Sequence, residues 1–246
     1  NEDLINAYRA LQEQDTAVFD VLWPMLRNHD GGLYYLVRDL YNAHAEDDIE
    51  SEIDELIGPG VLLSGADTRF HWQGPLLRAA WFIYLMVTCF NGLYRVNRSG
   101  AFNTPMGDKV SFSHHNIDDA VRVLRGGMLS RKHCKIELRS VDFSAITPAA
   151  GDFWYVDPPY APVSETANFV SHTAQGFGYT DQIRLRDFCM SLNGLDIRWM
   201  QTNSDVQMIR ELYYYQGIRI EQISAPRTIA ANGDRSDAAE LIIRNS

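Results

Sequence analysis

Asp157-Pro158-Pro159-Tyr160, entered from the apolar run Phe153-Trp154-Tyr155-Val156, places a carboxylate, a carbonyl of fixed direction, a stiff backbone and an aromatic face in one short turn. Pro158 pushes Asp157 into an extended conformation, and Pro159 does the same to Pro158. Neither proline nitrogen carries a hydrogen, so the Asp157 carboxylate and the Pro158 carbonyl are not drawn into bonds with them. At the end of a buried strand, such a turn suits a planar substrate bearing an NH2 group. The ring stacks on Tyr160 and the amino hydrogens point at the two oxygens. Asp-Pro and Pro-Pro pairs also mark turns without chemistry, so the surrounding residues decide.

The elements that must position this turn follow from periodicity. Apolar residues at Leu4, Tyr8, Leu11, Val18, Leu22 and Leu26 predict a helix over 3–28. Further helices are expected at 33–43 and 75–90, the latter with Trp81, Phe82, Tyr84, Leu85 and Phe90 mostly in the core. Residues 91–115 are polar and Gly-rich and suit a loop or hairpin. A capped helix is expected over 116–129, a strand at 134–138 and a short buried strand at 153–156. Helix 180–193, strand 197–202, helix 205–216 and the strands 219–224 and 238–244 complete the chain. Strands alternating with helices and closing in an antiparallel hairpin describe a mostly parallel α/β sheet.

The 246 residues are 46% hydrophobic, enough to bury a full core, with no run of 18 apolar residues. Cys89, Cys134 and Cys189 are widely spaced and read as reduced thiols rather than a disulfide frame or zinc site. His114-His115 lacks a third ligand nearby and reads as polar loop, so no metal is expected. The net charge of -10 opposes nucleic acid at first sight, but it is segregated. Seven acids crowd between Glu46 and Glu55, whereas Arg122, Arg125, Arg131, Lys132, Lys135 and Arg139 face only Glu137 between 120 and 139. A local basic surface on an acidic protein follows.

Around the turn stand three further blocks. Phe90-Asn91-Gly92-Leu93-Tyr94-Arg95-Val96-Asn97-Arg98 leads into Gly100-Ala101-Phe102-Asn103-Thr104-Pro105-Met106-Gly107; Thr166-Ala167-Asn168-Phe169 follows the turn; Arg227 to Arg235 and Glu240-Leu241-Ile242-Ile243 close the chain. In this order they resemble the Dam-type DNA adenine-N6 methyltransferases over nearly the whole length. The resemblance implies a Rossmann-like methyltransferase domain (1–11 and 129–246) carrying a largely helical target-recognition domain (12–128). It implies S-adenosylmethionine as cofactor, double-stranded DNA as partner, no membrane, and a monomer or weak dimer in the cytoplasm of a bacterial or phage-infected cell, associated with the nucleoid. Asp157, Pro158 and Tyr160 become the catalytic residues, with Asp157, Asp142 and Phe143 on the cofactor, although a plain core role for Phe143 stays open. Phe90, Asn91, Leu93, Arg95, Asn97, Pro105, Asn168, Arg227 and Arg235 become the DNA contacts. Arg95 is the candidate reader of guanine, with a phosphate contact or salt bridge as its alternative. The target implied is GATC.

The sequence departs from the family at its front. The Gly-rich loop and the acidic residue that hold the cofactor are absent, which is expected of an incomplete copy of a longer protein. The alternative is a catalytically inactive DNA-binding homologue.

Overall fold

The computed structural model describes residues 1–44, 74–108, 137–163, 177–225 and 238–245. The expected helix 116–129, most of the expected strand 134–138, Asn168, and the turn with Arg227 and Arg235 lie outside them, as do the acidic run and most of the basic stretch. The chain divides into two compact units, Asn1–Ser140 and Val141–Ser246.

The first unit is helical. α1 (Glu2–Arg27) runs unbroken, its first turn capped by the Asn1 side chain, which accepts a hydrogen bond from the Leu4 amide. α2 (Gly31–Ala43) starts at Asp30, whose carboxylate accepts from the Leu33 amide at 2.8 Å. α3 (Gly74–Thr88) buries Leu77, Ala79, Ala80, Trp81, Phe82, Tyr84 and Leu85 because α1 and α2 both pack against it. An ion pair staples α1 to α3. Asp3 receives Arg78 and the Tyr41 hydroxyl, and although burial raises its carboxyl, those bonds hold it below its ordinary 3.8.

Beyond α3 the chain makes a hairpin-like excursion. Bridges Cys89↔Met106 and Val96↔Phe102 hold its two limbs. Its base admits no side chain at Gly107, where a Cβ would meet the Cys89 carbonyl oxygen at 2.9 Å and the Thr88 oxygen at 3.2 Å. Both neighbours are backbone and cannot step aside. Gly107→Ala is therefore expected to cost about 1–3 kcal/mol, read as a lower midpoint in thermal denaturation; an unchanged midpoint would show that the excursion relaxes freely.

The second unit carries a sheet of order β1-β2-β4-β3. β1 (Phe153–Val156) pairs parallel with β2 (Arg198–Ser204), and β4 (Ala238–Asn245) pairs antiparallel with both β2 and β3 (Ile218–Ala225). Among the described residues the sheet is thus mixed rather than mostly parallel, because the closing strand inserts between β2 and β3 instead of adding at an edge. β1 is also less buried than expected. Trp154 meets Phe188 of α4 (Tyr179–Asn193) with ring centroids 4.9 Å apart, while Phe153 and Tyr155 on the opposite face are about 60% exposed (61% and 60%). A short helix α5 (Gln207–Leu212) follows β2 and seats Ile209 and Leu212 in the same core as Leu185, Trp199, Leu241 and Ile243. Among the described residues, no helix is long and apolar enough to cross a membrane.

Candidate active site

The parallel register pairs Val156 with Gln201, so the next residue of each strand, Asp157 and Thr202, falls side by side at the carboxyl ends of β1 and β2. Open sheets of this kind bind ligands there. The Thr202 hydroxyl donates to Asp157 Oδ1 at 2.8 Å, fixing the carboxylate as an acceptor, and Asp157 itself is exposed. Pro158 is buried, Pro159 exposed, and Ala161 returns to the core at 4% exposure. The two prolines offer no amide, so side chains hold the turn by what remains. Gln182 Nε2 of α4 donates to the Pro159 carbonyl at 2.9 Å, and the Ala161 amide donates to Asn203 Oδ1 at 3.0 Å.

Tyr160 stands between them with 38% of its surface exposed. Its hydroxyl donates to Glu240 Oε2 of β4 at 3.3 Å, Glu240 being placed there by its pairing with Ser204. Burial pushes the Tyr160 phenol above its ordinary 10.0, the Glu240 and Asp157 charges push the same way, and the Thr202 hydroxyl opposes them. The phenol stays protonated at neutral pH.

Asp142 and Phe143 begin the same unit. Asp142 Oδ1 caps the turn Phe143–Ala145 by accepting from the Ser144 amide at 3.0 Å, and Arg184 of α4 reaches both of its oxygens at 3.1 and 3.2 Å. The Ser144 bonds first, then Arg184, hold the Asp142 carboxyl below its ordinary range. The half-buried Phe143 ring lies 5.4 Å from Phe188 and carries the Arg184 guanidinium 5.2 Å from its centroid. The first two turns of α4 therefore serve both places, through Gln182 on the turn and Arg184 on the Asp142–Phe143 pair.

The chain matches the family described as D12 class N6 adenine-specific DNA methyltransferase over residues 1–229. The chain belongs to this family. Among the family's relatives, it is 32% identical to a type II methyltransferase, M1.LlaDCHI, of Lactococcus lactis subsp. cremoris, covering 100% of this chain and 77% of that protein. The type II methyltransferase M.MjaIII of Methanocaldococcus jannaschii is 31% identical, with coverage of 100% and 78%. The DNA adenine methylase of Serratia marcescens is 31% identical, with coverage of 98% and 78%. As a D12-class member, the protein is a DNA adenine-N6 methyltransferase.

In this methyltransferase the expected DNA contacts of the first unit gather on the excursion. Phe90, Asn91, Leu93, Arg95, Asn97 and Pro105 are all exposed. Phe90 does not join the core face of α3, because the helix ends at Thr88 and a 3-10 turn (Phe90–Gly92) swings the ring out, leaving it 47% exposed. Asn91 sits at φ 54°, a left-handed conformation that Asn tolerates. Asn97 Oδ1 accepts from the Ser99 and Ala101 amides and closes the tip. The Arg95 guanidinium rests on Asn103, giving Nε to Oδ1 at 2.9 Å and Nη2 to the carbonyl at 3.4 Å. The Pro105 carbonyl accepts from the Phe90 amide at 2.9 Å. The platform is anchored at Phe102, which is buried against Tyr41 and Tyr94 and whose amide and carbonyl both bond Asn42.

Thr202, Asn203, Gln182 and Glu240 were not singled out as site residues in the sequence. The available signal is the run Gln201-Thr202-Asn203-Ser204, four polar residues in succession at a strand end, all buried. Burial of that many polar groups demands partners.

Proposed function

We propose that this protein transfers a methyl group from S-adenosylmethionine to N6 of an adenine flipped out of double-stranded DNA, within GATC. The observation that carries the reading is the exposed Asp157 carboxylate, oriented by Thr202 at the strand ends with the Tyr160 ring beside it. Adenine N6 is a poor nucleophile because its lone pair is delocalised into the ring. Asp157 and the Pro158 carbonyl each accept one N–H, favouring a tetrahedral nitrogen and the positive charge that develops on it. Tyr160 stacks on the ring. None of this operates inside a duplex, so the base is extruded at a cost of a few kcal/mol.

When bound, the donor would supply a methyl group on a positively charged sulfur; the sulfur would depart as a neutral thioether, and N6 would then shed one proton to solvent. The residues present suit its adenosine end: Phe143 offers a half-buried aromatic face and Asp142 an ionised carboxylate beside it. Residues 12–128 serve target recognition and 1–11 with 129–246 serve chemistry. Within the former, Phe90 wedges into the stack, Asn91 and Leu93 contact bases or fill the gap, Arg95 reads guanine, and Asn97 and Pro105 touch the DNA beside them; Asn168 also contacts the DNA, and Arg227 and Arg235 clamp phosphates. The protein acts in the cytoplasm on the nucleoid, without a metal, as a monomer or weak dimer. GATC is favoured by the likeness of Asn91-Gly92-Leu93 and Arg95 to members with that target.

The test is transfer of labelled methyl from S-adenosylmethionine to a GATC duplex and a scrambled duplex. Label on GATC alone is expected. Equal label on both would refute the target, and label on neither, with both bound, would leave a DNA-binding protein without catalysis.

A further inference from the structure

Gln182 and Asn203 touch the turn but take no part in the chemistry just described. Both are buried, at 2% and 0% exposure. Gln182 Nε2 donates to the Pro159 carbonyl at 2.9 Å, and its Oε1 accepts from Asn203 Nδ2 at 3.2 Å. Asn203 Oδ1 accepts from the Ala161 amide at 3.0 Å and the Ser204 amide at 2.9 Å.

Backbone chemistry fixes the direction of both amides. The Pro159 carbonyl only accepts, so Gln182 must present its NH2; the Ala161 amide only donates, so Asn203 must present its oxygen. The two remaining ends, an oxygen and an NH2, then face each other and match. Turning either amide over would set like against like at a backbone atom. The relay therefore has one arrangement, and every member supports the next. Its two attachment points, Pro159 and Ala161, flank Tyr160, and Pro159 directly follows Pro158.

We propose that Gln182 and Asn203 are positioning residues for methyl transfer, a buried amide relay that sets the angle of the Pro158 carbonyl and the Tyr160 ring. The inference rests on the proposed role of Asp157, Pro158 and Tyr160 at N6. A loop without proline amides has few handles of its own, and this relay supplies two of them. Displacing a reacting group by about 1 Å costs on the order of 100-fold in rate.

The experiment is single-turnover methylation of a GATC duplex by the full-length protein carrying Gln182→Met, beside its duplex affinity and thermal melting. Methionine keeps the length and removes both bonds. The expected result is a rate lower by about 100-fold, with duplex affinity unchanged and melting still cooperative. An unchanged rate overturns the inference, as does a parallel loss of rate and affinity. If Gln182→Met does not melt cooperatively, Asn203→Asp is read by the same criteria, since it keeps the acceptor for Ala161 and loses the donor to Gln182. Loss of cooperative melting in both makes the amides structural and overturns it too. Failure of the functional reading looks different: wild type itself transfers no methyl. Wild type active, Asp157→Ala silent and Gln182→Met unaffected removes the relay alone.

Discussion

Asp157→Ala is expected to lower methyl transfer by about a thousandfold, the effect of deleting one preorganised group from a site that stabilises developing charge. Affinity for duplex DNA should stay unchanged, because the carboxylate lies at the ends of β1 and β2 and is held by Thr202, whereas the exposed DNA-contact candidates of the excursion belong to the other unit. The fold should survive. Asp157 is exposed, and the turn keeps its anchors at Pro159 and Ala161 through Gln182 and Asn203. Single-turnover methylation, measured beside duplex binding and thermal melting, checks all three statements. A variant that loses binding and melting together would make the turn a scaffold and its carboxylate a structural group.

Arg95→Ala carries the second large effect, on choice of site rather than on rate at saturating DNA. A guanidinium that bonds guanine O6 and N7 together is worth about 1–3 kcal/mol of discrimination. Losing it should narrow the preference for GATC over a site substituted at the contacted guanine by roughly 5- to 150-fold. Arg95 starts well placed for this. Asn103 holds Nε and Nη2 and pins the plane of the guanidinium, using two of its five donors. Measuring kcat/KM on GATC and singly substituted duplexes separates the alternatives. A uniform loss across all sites would make Arg95 a phosphate contact, and no change would make it a surface group paired to Asn103.

Much of the secondary structure was legible because it is local. The 3.6-residue spacing of Leu11, Val18 and Leu22 predicted α1 to within a residue at each end, and the apolar run bounded by Asp152 and Asp157-Pro158 gave β1 its observed limits. What failed depends on partners distant in the chain. Nothing in the pattern of Glu240 to Ile243 says that this strand inserts between β2 and β3, so the sheet read as mostly parallel. Likewise Phe153 and Tyr155 read as buried because an apolar tetrapeptide does not reveal which face meets α4. In the site, the turn itself announced its chemistry, since two prolines next to a carboxylate and a tyrosine constrain the backbone without help. Its supports did not. Thr202 lies 45 residues from Asp157 and Gln182 lies 23 from Pro159, and their side-chain bonds appear only once β1, β2 and α4 are assembled. Phe90 shows the reverse limit. Its apolar character suited the end of a core helix, but the turn begun by Asn91 and Gly92, both at positive φ, rotates it to the surface.

The measurement that bears most directly on methyl transfer to N6 is the identity and position of the product. A GATC duplex incubated with the full-length protein and S-adenosylmethionine, then digested to nucleosides and weighed by mass spectrometry, should yield N6-methyladenine from the GATC adenine. Absence of methylated adenine, or methyl found instead on cytosine, would contradict the assignment of Asp157, Pro158 and Tyr160 to adenine N6.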